Sequence, residues 1–345
     1  MENKAFFMTD LNKMELRDVE MPKIKDNEVL IKLEYVGICG SDVHYLEHGK
    51  IGDFVVEGDF ILGHECSGRV VEIGKDVKTL KVGDKVALEP GQTCGQCEFC
   101  KSGKYNLCPD VEFLATPPYH GCLENYIAYP ENMAFKLPDN ISTKEGALIE
   151  PLAVGMHAAA QGNVKLGSSV VILGAGCIGL VTLLACKAYG ATDITVVDVL
   201  QKRLDVAMQL GATRVINAAN ENTLETYSKI NSKGADVVIE TAGSKITIQQ
   251  TAYIVKTGGT IVLVGMAPED IIDYNFAKIL AKEAEIKSVF RYRNIYPIAI
   301  KAVAQGLIDI SGIVTHEFDF EKTPEAFQYV INNKQDVVKA VIKID

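Results

Sequence analysis

Residue types that bind zinc recur in the first half of the chain, at Cys39, His64 and a carboxylate at Glu65 or Glu150. Cys39 stands in Val-Gly-Ile-Cys-Gly-Ser-Asp, Gly-His-Glu follows twenty-five residues later, and Glu150 stands in Ile-Glu-Pro-Leu. Three protein groups plus one exchangeable position are typical of a catalytic zinc. Such an ion acts as a Lewis acid, so the predicted chemistry is activation of a bound oxygen.

Four further cysteines fall within fifteen residues and predict a second metal site: Cys94, Cys97, Cys100 and Cys108. Four thiolates with no open position indicate a closed, tetrahedral, structural zinc. An iron–sulfur cluster is one alternative, but ferredoxin-type runs place the fourth cysteine after three residues, whereas the gap here is seven. Disulfides or unrelated thiols are disfavoured by the tight spacing and by the odd total of nine cysteines. We expect this metal to fold a lobe, not to catalyse.

A glycine-rich segment in mid-chain predicts a dinucleotide-binding turn. The β-branched run Ser169–Leu173 leads directly into Gly174-Ala-Gly176-Cys-Ile178-Gly179, and a helix-like stretch follows. The first glycine permits a tight turn, the second lets the backbone approach a pyrophosphate, and the third lets the helix pack on the strand. Helix N–H groups would then face the phosphates. We assign these three glycines and Ile178 to the cofactor site, with a plain turn as the alternative.

The residue that ends the next strand-like run indicates which dinucleotide is bound. Ile194–Val197 is followed by Asp198, nineteen residues after Gly179. A carboxylate there accepts hydrogen bonds from the adenosine ribose and repels a 2′-phosphate, which favours NAD over NADP. Arg203, five residues on, leaves an alternative open, because its cation could pair with a phosphate or flank the adenine.

Alternating strand and helix patterns predict the elements that position the cofactor residues. Strand-like runs continue at 214–217, 235–239, 260–264 and 285–290, separated by helix-length segments. Six strands with helices between them predict a Rossmann fold, a doubly wound parallel sheet. Residues at the carboxyl ends of its strands are placed to touch a ligand; they are Val264, Met266, Val289 and Arg291.

Length and composition suggest a two-domain enzyme. The 345 residues are 48% hydrophobic and 23% charged, and the net charge of −10 comes without a basic block that could follow nucleic acid. We expect a β-rich catalytic domain over 1–155, a Rossmann domain over 156–290, and a partial return of 291–345 to the first. The N-terminus lacks a signal-peptide core, and a glycine turn interrupts the uncharged stretch 166–186, which predicts a cytoplasmic protein that does not enter membranes.

The motifs taken together resemble a known family. GICGSDVHY, GHE, the four-cysteine run, EPLAVGMH and GAGCIG occur in the order and approximate spacing of the zinc-dependent medium-chain dehydrogenases, over nearly the whole chain. HYLEHGKIGDFVV, ATPP, GALIEPL and VFRYRN resemble the sorbitol (L-iditol) and xylitol dehydrogenases of that family. The resemblance implies a GroES-like catalytic domain and NAD-dependent oxidation of a polyol to a ketose.

The resemblance also implies a role for each residue of the first site. Cys39 and His64 would be ligands of the catalytic zinc, with Glu65 and Glu150 completing its surroundings. Alcohol-oxidising relatives often have a cysteine where Glu150 stands, whereas polyol dehydrogenases have glutamate. Which of the two carboxylates binds zinc directly stays open.

A proton relay and a polyol pocket are predicted around these ligands. Ser41 and His44 follow Cys39 closely and could pass the hydroxyl proton to water, although a serine there could cap a turn and the histidine could be structural. Tyr45, Arg291 and Tyr292 match polyol-contacting positions of the family. Their phenols and guanidinium would donate to vicinal hydroxyls, with packing as the alternative for Tyr45.

Two other functions remain open at this point. Threonine and butanediol dehydrogenases share the zinc ligands and the glycine turn, and a non-catalytic member of the superfamily would keep only the fold. Retention of all four residues of the first site argues against a non-catalytic protein. The relatives are commonly homotetramers, which is the assembly we expect here.

Overall fold

The structure is a computed structural model that describes residues 2–344, and it divides the chain into two compact units. The first unit contains the chain through Glu150, Tyr296–Gln305 and the chain from Val314 onward. The second unit contains Pro151–Ile295 and Gly306–Ile313. This division describes packing, so the domain boundaries at 155/156 and 290/291 stay a prediction.

The helices and strands are as follows. The strands are β1 (Asn3–Asp10), β2 (Lys13–Val19), β3 (Glu28–Ile38), β4 (Lys50–Ile51), β5 (Phe54–Val55), β6 (Phe60–Ile61), β7 (Glu65–Ile73), β8 (Lys85–Leu88), β9 (Gly91–Gln92), β10 (Glu112–Phe113), β11 (Tyr126–Pro130), β12 (Ala134–Lys136), β13 (Ser169–Leu173), β14 (Asp193–Asp198), β15 (Arg214–Asn217), β16 (Ala235–Glu240), β17 (Val255–Leu263), β18 (Glu285–Ser288), β19 (Val314–Asp319) and β20 (Lys339–Lys343). The α-helices are α1 (Gly40–His48), α2 (Glu98–Lys101), α3 (Thr143–Ala147), α4 (Ile149–Gln161), α5 (Cys177–Ala188), α6 (Gln201–Gln209), α7 (Thr223–Ile230), α8 (Lys245–Ile254), α9 (Phe276–Lys282), α10 (Tyr296–Ala304) and α11 (Thr323–Asn332). Short 3-10 helices lie at Tyr105–Leu107, Glu131–Met133, Ser311–Ile313 and Phe320–Lys322.

The first unit is built around β3, the longest strand. In the seven-stranded sheet, β12, β8, β7, β3, β20 and β19 follow one another in that order, and β11 also pairs with β3. Val29, Ile31 and Leu33 lie on one face of β3 and are fully buried, because alternate residues of a strand point to the same side of the sheet. Because β20 pairs with β3, this sheet connects residues 28–38 to the last strand of the chain.

The second unit has the predicted Rossmann architecture. Its six strands are all parallel and lie in the order β15-β14-β13-β16-β17-β18. The strand β13 covers the residues expected from the sequence, whereas β17 ends at Leu263 and β18 at Ser288, so Val264 and Val289 lie just past their strands. The central strands of such a sheet are covered on both faces, which explains the apolar runs of β13, β14 and β16. The predicted fold class is confirmed.

No helix among residues 2–344 is both long enough and apolar enough to cross a membrane. The uncharged stretch at 166–186 is divided between β13, the glycine turn and α5. Most of its apolar residues are therefore explained by burial in and against the Rossmann sheet.

Candidate metal centres and cofactor site

Three elements of the first unit bring Cys39, His64 and Glu65 together. Cys39 is the N-cap residue of α1 directly after β3, His64 follows β6, and Glu65 begins β7. One ligand atom from each side chain lies within 4.8 Å of the other two, and His64 and Glu65 are buried. A thiolate, an imidazole and a carboxylate at such separations fit a single zinc ion.

Asp42 connects, through hydrogen bonds, the two segments that carry these ligands. Its carboxylate is fully buried, accepts hydrogen bonds from the backbone N–H of Cys39 at 3.0 Å and of Gly63 at 2.9 Å, and lies 3.3 Å from Nδ1 of His64. With Nδ1 of His64 facing Asp42, Nε2 would be the ring nitrogen left for a metal ion. Sequence analysis missed this residue, although its position three residues after a helix N-cap was an available signal.

The charge balance of this centre is visible in the pKa of His64. Burial disfavours the charged imidazolium, but the Asp42 carboxylate and the Cys39 sulfur outweigh burial and raise the pKa well above its usual range. The pKa of Asp42 is lowered, because contacts with His64 and with two backbone N–H groups overcome its burial. The Asp42 carboxylate and the Cys39 sulfur thus both act on the imidazole of His64.

Glu65 is held by a lysine from the other end of the chain. Nζ of Lys339, on β20, donates to the two carboxylate oxygens of Glu65 at 2.8 and 2.7 Å and to the carbonyl of Ile38 at 3.0 Å. The Lys339 side chain is 3% exposed and that of Glu65 is 0% exposed. Gly37 leaves room for this arrangement, since a Cβ there would overlap Oε2 of Glu65. Nothing in the local sequence identified Lys339.

Glu150 lies outside the group of three ligand atoms among residues 2–344. It is in the first turn of α4 and is 6% exposed. Its charge acts on a second buried carboxylate that sequence analysis missed, Glu89, which accepts a hydrogen bond from the Tyr105 hydroxyl at 2.8 Å. Burial, with the Glu150 charge adding to it against the Tyr105 hydrogen bond, raises the pKa of Glu89 to about 7. Glu89 and Glu150 are thus two buried carboxylates of the first unit that lie outside the group formed by Cys39, His64 and Glu65.

The candidate relay and pocket residues divide between the two units. Ser41 is half-buried on α1, and His44 is exposed on the same helix with its ring 4.6 Å from that of His48. Tyr45 is 3% exposed within the core and its ring lies 6.3 Å from that of Phe60. The N-cap residue of α1 is Cys39, and Ser41 lies in the first turn of the helix.

The four-cysteine cluster is a separate centre in the first unit. All four sulfurs lie within 4.8 Å of one another, with 4.0 Å between Cys94 and Cys100 and 3.5 Å between Cys108 and Cys94. A tetrahedron with Zn–S distances of about 2.3 Å requires sulfurs roughly 3.8 Å apart, so the cluster fits zinc. Backbone N–H groups of Cys97 and Cys100 point at Sγ of Cys94 and Cys97, each at 3.4 Å.

Backbone hydrogen bonds prepare part of this cluster for thiolate formation. The N–H groups of Gln96 and Cys97 lower the pKa of Cys94 to about 7, whereas burial raises the pKa of Cys108 to about 12. A metal ion binds thiolates and removes the protons of both types of thiol. The cluster is thus an ordered, closed set of four sulfur ligands.

We expect Cys100→Ser to lower the melting temperature by at least several degrees, since the metal contributes folding free energy to its lobe. Zinc content should fall by one equivalent, and turnover should be reduced less than thermal stability. Calorimetry and atomic absorption on the purified variant measure both. Unchanged melting and unchanged zinc content would contradict a structural zinc at this cluster.

The glycine turn of the second unit lies between β13 and α5 as expected. Gly174 has φ +105°, a left-handed conformation that favours glycine, and a Cβ on Gly179 would overlap the carbonyl oxygen of Gly174. Gly176 is the N-cap of α5, and Ile178 lies in its first turn. The helix N-terminus therefore points its N–H groups at the turn, where a pyrophosphate is bound in such folds.

The Asp198 side chain is hydrogen-bonded to this turn. Asp198 ends β14, and its carboxylate accepts hydrogen bonds from the N–H of Ala175 at 2.7 Å and of Leu200 at 2.9 Å. The position at which a Cβ of Gly176 would lie is 3.8 Å from a guanidinium nitrogen of Arg203, so the cation flanks the turn. Both residues that bear on the choice between NAD and NADP are thus next to the glycine turn.

The other cofactor and pocket residues of the second unit follow its last strands. Val264 donates to the carbonyl of Glu240 at 2.9 Å, and Val289 donates to that of Leu263 at 2.9 Å. Met266 is 72% exposed. Arg291 has φ +57° with its guanidinium 4.8 Å from the Phe290 ring centre, and Tyr292 is 2% exposed.

A Rossmann sheet, a Cys–His–Glu ligand group and a four-sulfur cluster define a zinc-dependent dehydrogenase. Residues 25–139 match the family profile of the alcohol dehydrogenase GroES-like domain, and residues 177–305 match that of the zinc-binding dehydrogenases. The chain belongs to the zinc-type alcohol dehydrogenases of the medium-chain class, which confirms the family resemblance. It has this family's structural four-cysteine zinc site and catalytic Cys–His–Glu site, and the family binds NAD(P).

Three similar proteins illustrate the range of the family. The chain is 51% identical to the "uncharacterized zinc-type alcohol dehydrogenase-like protein YdjJ" of Escherichia coli, over 100% of this chain and 99% of the relative. It is 43% identical to the sorbitol dehydrogenase of Bacillus subtilis, over 98% of this chain and 96% of the relative. A crystal structure of an Escherichia coli oxidoreductase of unknown specificity superposes with a TM-score of 0.97, with 50% identity and 100% coverage of both chains.

Proposed function

We propose that this chain is an NAD-dependent polyol dehydrogenase that oxidises a secondary hydroxyl of sorbitol, xylitol or L-iditol to a ketone. The observation that carries the proposal is the convergence of Cys39, His64 and Glu65 in a chain whose Rossmann unit places Asp198 beside its glycine turn. With NAD bound at the glycine turn, the alcohol carbon would give up a hydride to the nicotinamide and the hydroxyl would give up a proton to solvent, a two-electron oxidation. A zinc ion in the site supplies Lewis acidity that lowers the pKa of the hydroxyl.

The residues around the ligands determine how the site works. Asp42 orients His64 and fixes the backbone at Cys39 and Gly63, so the ligands are in place before substrate arrives. Lys339 holds Glu65 and balances one negative charge of the ligand group. We propose Ser41 as the first acceptor of the hydroxyl proton, with the exposed His44 passing it to water.

We attribute polyol specificity to side chains that can donate hydrogen bonds to substrate hydroxyls or accept hydrogen bonds from them. The carboxylate of Glu150 offers oxygens that can accept hydrogen bonds from substrate hydroxyls, which a cysteine at that position would not provide as well. Arg291 and Tyr292 are proposed to donate to vicinal hydroxyls, together with Tyr45. The identity of 43% with a sorbitol dehydrogenase over almost the whole chain supports the same substrate class.

A substrate panel tests the proposal directly. Sorbitol, xylitol, L-iditol, threonine and 2,3-butanediol would each be assayed with NAD and with NADP, alongside zinc quantification. The proposal requires kcat/KM for at least one polyol with NAD to exceed that for threonine and butanediol. A clear preference for threonine or butanediol would replace the polyol with that substrate, and no turnover of any of the five would contradict the proposal.

We expect Asp198→Ala to narrow the preference for NAD over NADP by about tenfold or more, because the variant no longer repels the 2′-phosphate. The measurement is the ratio of kcat/KM values for the two cofactors. Asp198→Asn is the matched variant, since it keeps an oxygen for the Ala175 N–H and removes only the charge. An unchanged ratio in both variants would show that Asp198 does not select NAD.

The assembly and the compartment are part of the same proposal. We propose a homotetramer, which light scattering after size-exclusion chromatography would test. We propose the cytoplasm as the compartment, since nine cysteines without a disulfide among residues 2–344 suit a reducing environment. Subcellular fractionation with an antibody to the chain tests that assignment.

A further inference from the structure

A buried carboxylate of the second unit has no part in the reaction proposed above. Glu240 is the last residue of β16 and is 0% exposed. Its Oε1 accepts hydrogen bonds from the backbone N–H groups of Ala242 and Gly243, both at 2.9 Å, and from the Thr247 hydroxyl at 2.7 Å. Three donors on one oxygen fold the turn after β16 around this side chain.

The same residue also joins this turn to the next strand. The carbonyl oxygen of Glu240 accepts hydrogen bonds from Val264 N–H at 2.9 Å and Gly265 N–H at 3.1 Å, directly after β17. The two turns pack tightly, because a Cβ on Gly265 would overlap the backbone nitrogen of Gly243 and lie 2.7 Å from Oε2 of Glu240. The main chain at Glu240 therefore joins the ends of β16 and β17, and Oε2 of its side chain lies against Gly265 in the second of the two turns.

The neighbouring Thr241 links this pair of turns to the glycine turn. Its hydroxyl lies 3.0 Å from the carbonyl oxygen of Leu173 and 3.2 Å from that of Gly174. Thus the turns after β13, β16 and β17 form one hydrogen-bonded surface along the carboxyl edge of the sheet. Ligands of doubly wound folds bind at this edge, where the strand order reverses.

The strand order indicates which half of a dinucleotide this surface meets. Asp198, proposed for the adenosine ribose, ends β14 on one side of β13, and Glu240 ends β16 on the other side. A dinucleotide whose pyrophosphate lies at the β13 turn extends its nicotinamide half over β16 and β17. We propose that Glu240 is a positioning residue for the nicotinamide half of the cofactor, acting through the turns after β16 and β17. The inference rests on the proposed use of NAD.

Another carboxylate on the same strand provides a matched control. Asp236 lies near the opposite end of β16 and accepts hydrogen bonds from the N–H of Ser169 at 2.8 Å and its hydroxyl at 2.6 Å, and from Lys256. It too connects β16 to neighbouring strands, but at the edge of the sheet away from the glycine turn. If Glu240 had only a structural role, its substitution would affect cofactor affinity no more than substitution of Asp236 does.

The test compares NADH with ADP-ribose, which lacks the nicotinamide ring. Affinities of the purified zinc-loaded protein for each ligand would be measured by calorimetry, together with the melting temperature. We expect Glu240→Ala to weaken NADH binding about tenfold and ADP-ribose binding less than about twofold, because lost hydrogen bonds loosen only the nicotinamide side. Glu240→Gln keeps the acceptor oxygen and should restore the wild-type ratio of affinities. Asp236→Asn should lower the melting temperature and leave that ratio unchanged.

The alternative outcomes separate this inference from the proposed function. Equal weakening of both ligands in Glu240→Ala, or no weakening of NADH, would overturn the positioning role while leaving NAD use intact. Wild-type protein that binds neither NADH nor NADPH would overturn the proposed function and this inference with it. If Glu240→Ala does not fold, Thr247→Val removes one donor and decides the question: a loss of NADH affinity of about threefold supports the role, and an unchanged affinity overturns it.

Discussion

Replacing Cys39 by serine is expected to abolish turnover and to remove one equivalent of zinc. Cys39 contributes the thiolate of a group whose ligand atoms lie within 4.8 Å of one another, and zinc binds a thiolate far better than a neutral hydroxyl. Outer-shell substitutions at metal sites cost about 10–100-fold in affinity or activity, and loss of a ligand should exceed that range. Steady-state assays and metal quantification provide the two measurements.

The second zinc centre gives this prediction an internal reference. Cys39→Ser should retain the zinc of the four-cysteine cluster, so its content should fall from two equivalents to one. A matched cysteine variant is Cys186→Ala, because Cys186 is fully buried in α5 and belongs to neither ligand group. That variant should keep both zinc ions. Full activity or full zinc content in Cys39→Ser would remove the proposed catalytic site.

Lys339→Met is expected to lower the free energy of unfolding by about 3–5 kcal/mol, because it leaves the Glu65 carboxylate buried without its partner. The double variant Lys339→Met/Glu65→Gln removes both charges and should recover much of this loss. Urea unfolding measures these differences on proteins that carry zinc only at the four-cysteine cluster, because zinc at the first site would itself pair with Glu65. Equal stability of the single and double variants would show that the buried ion pair does not determine stability here.

An exposed ion pair with the same separation tests whether burial is the cause. Nζ of Lys144 lies 2.7 Å from a carboxylate oxygen of Glu317, but the two side chains are 42% and 36% exposed. Lys144→Met should therefore change the free energy of unfolding by no more than about 1 kcal/mol. A loss similar to that of Lys339→Met would contradict the explanation from burial.

Several parts of the structure were predictable because the residues that form them are close in sequence. The four cysteines lie on a short segment whose backbone N–H groups point at its own sulfurs. The strand β13, the glycine turn and α5 follow one another directly, so their pattern specified both the fold and the cofactor edge. The position of Asp198 at the end of β14 was predictable because the strand after such a turn ends at a fixed place in the fold.

The residues that sequence analysis missed act across long sequence separations or through turn geometry. Lys339 reaches Glu65 only because β20 pairs with β3, and β3 pairs with β7. The position of Gly37 opposite Glu65 is likewise a matter of strand register, and no local pattern contains it. Glu240 would have been read as the end of an apolar strand, since its importance comes from the turns that converge on it.

The sequence by itself determined the family, the ligand types and the Rossmann architecture, because motifs of this kind are local and each needs particular residues at a fixed spacing. In the tertiary structure Glu65 lies with Cys39 and His64 in one group of possible ligand atoms, and Glu150 lies outside that group among residues 2–344. Tertiary structure also decided that a lysine from the last strand would neutralise the Glu65 carboxylate. Such choices depend on which strands pair and in which register, and pairing between distant segments is not encoded in any short stretch of sequence.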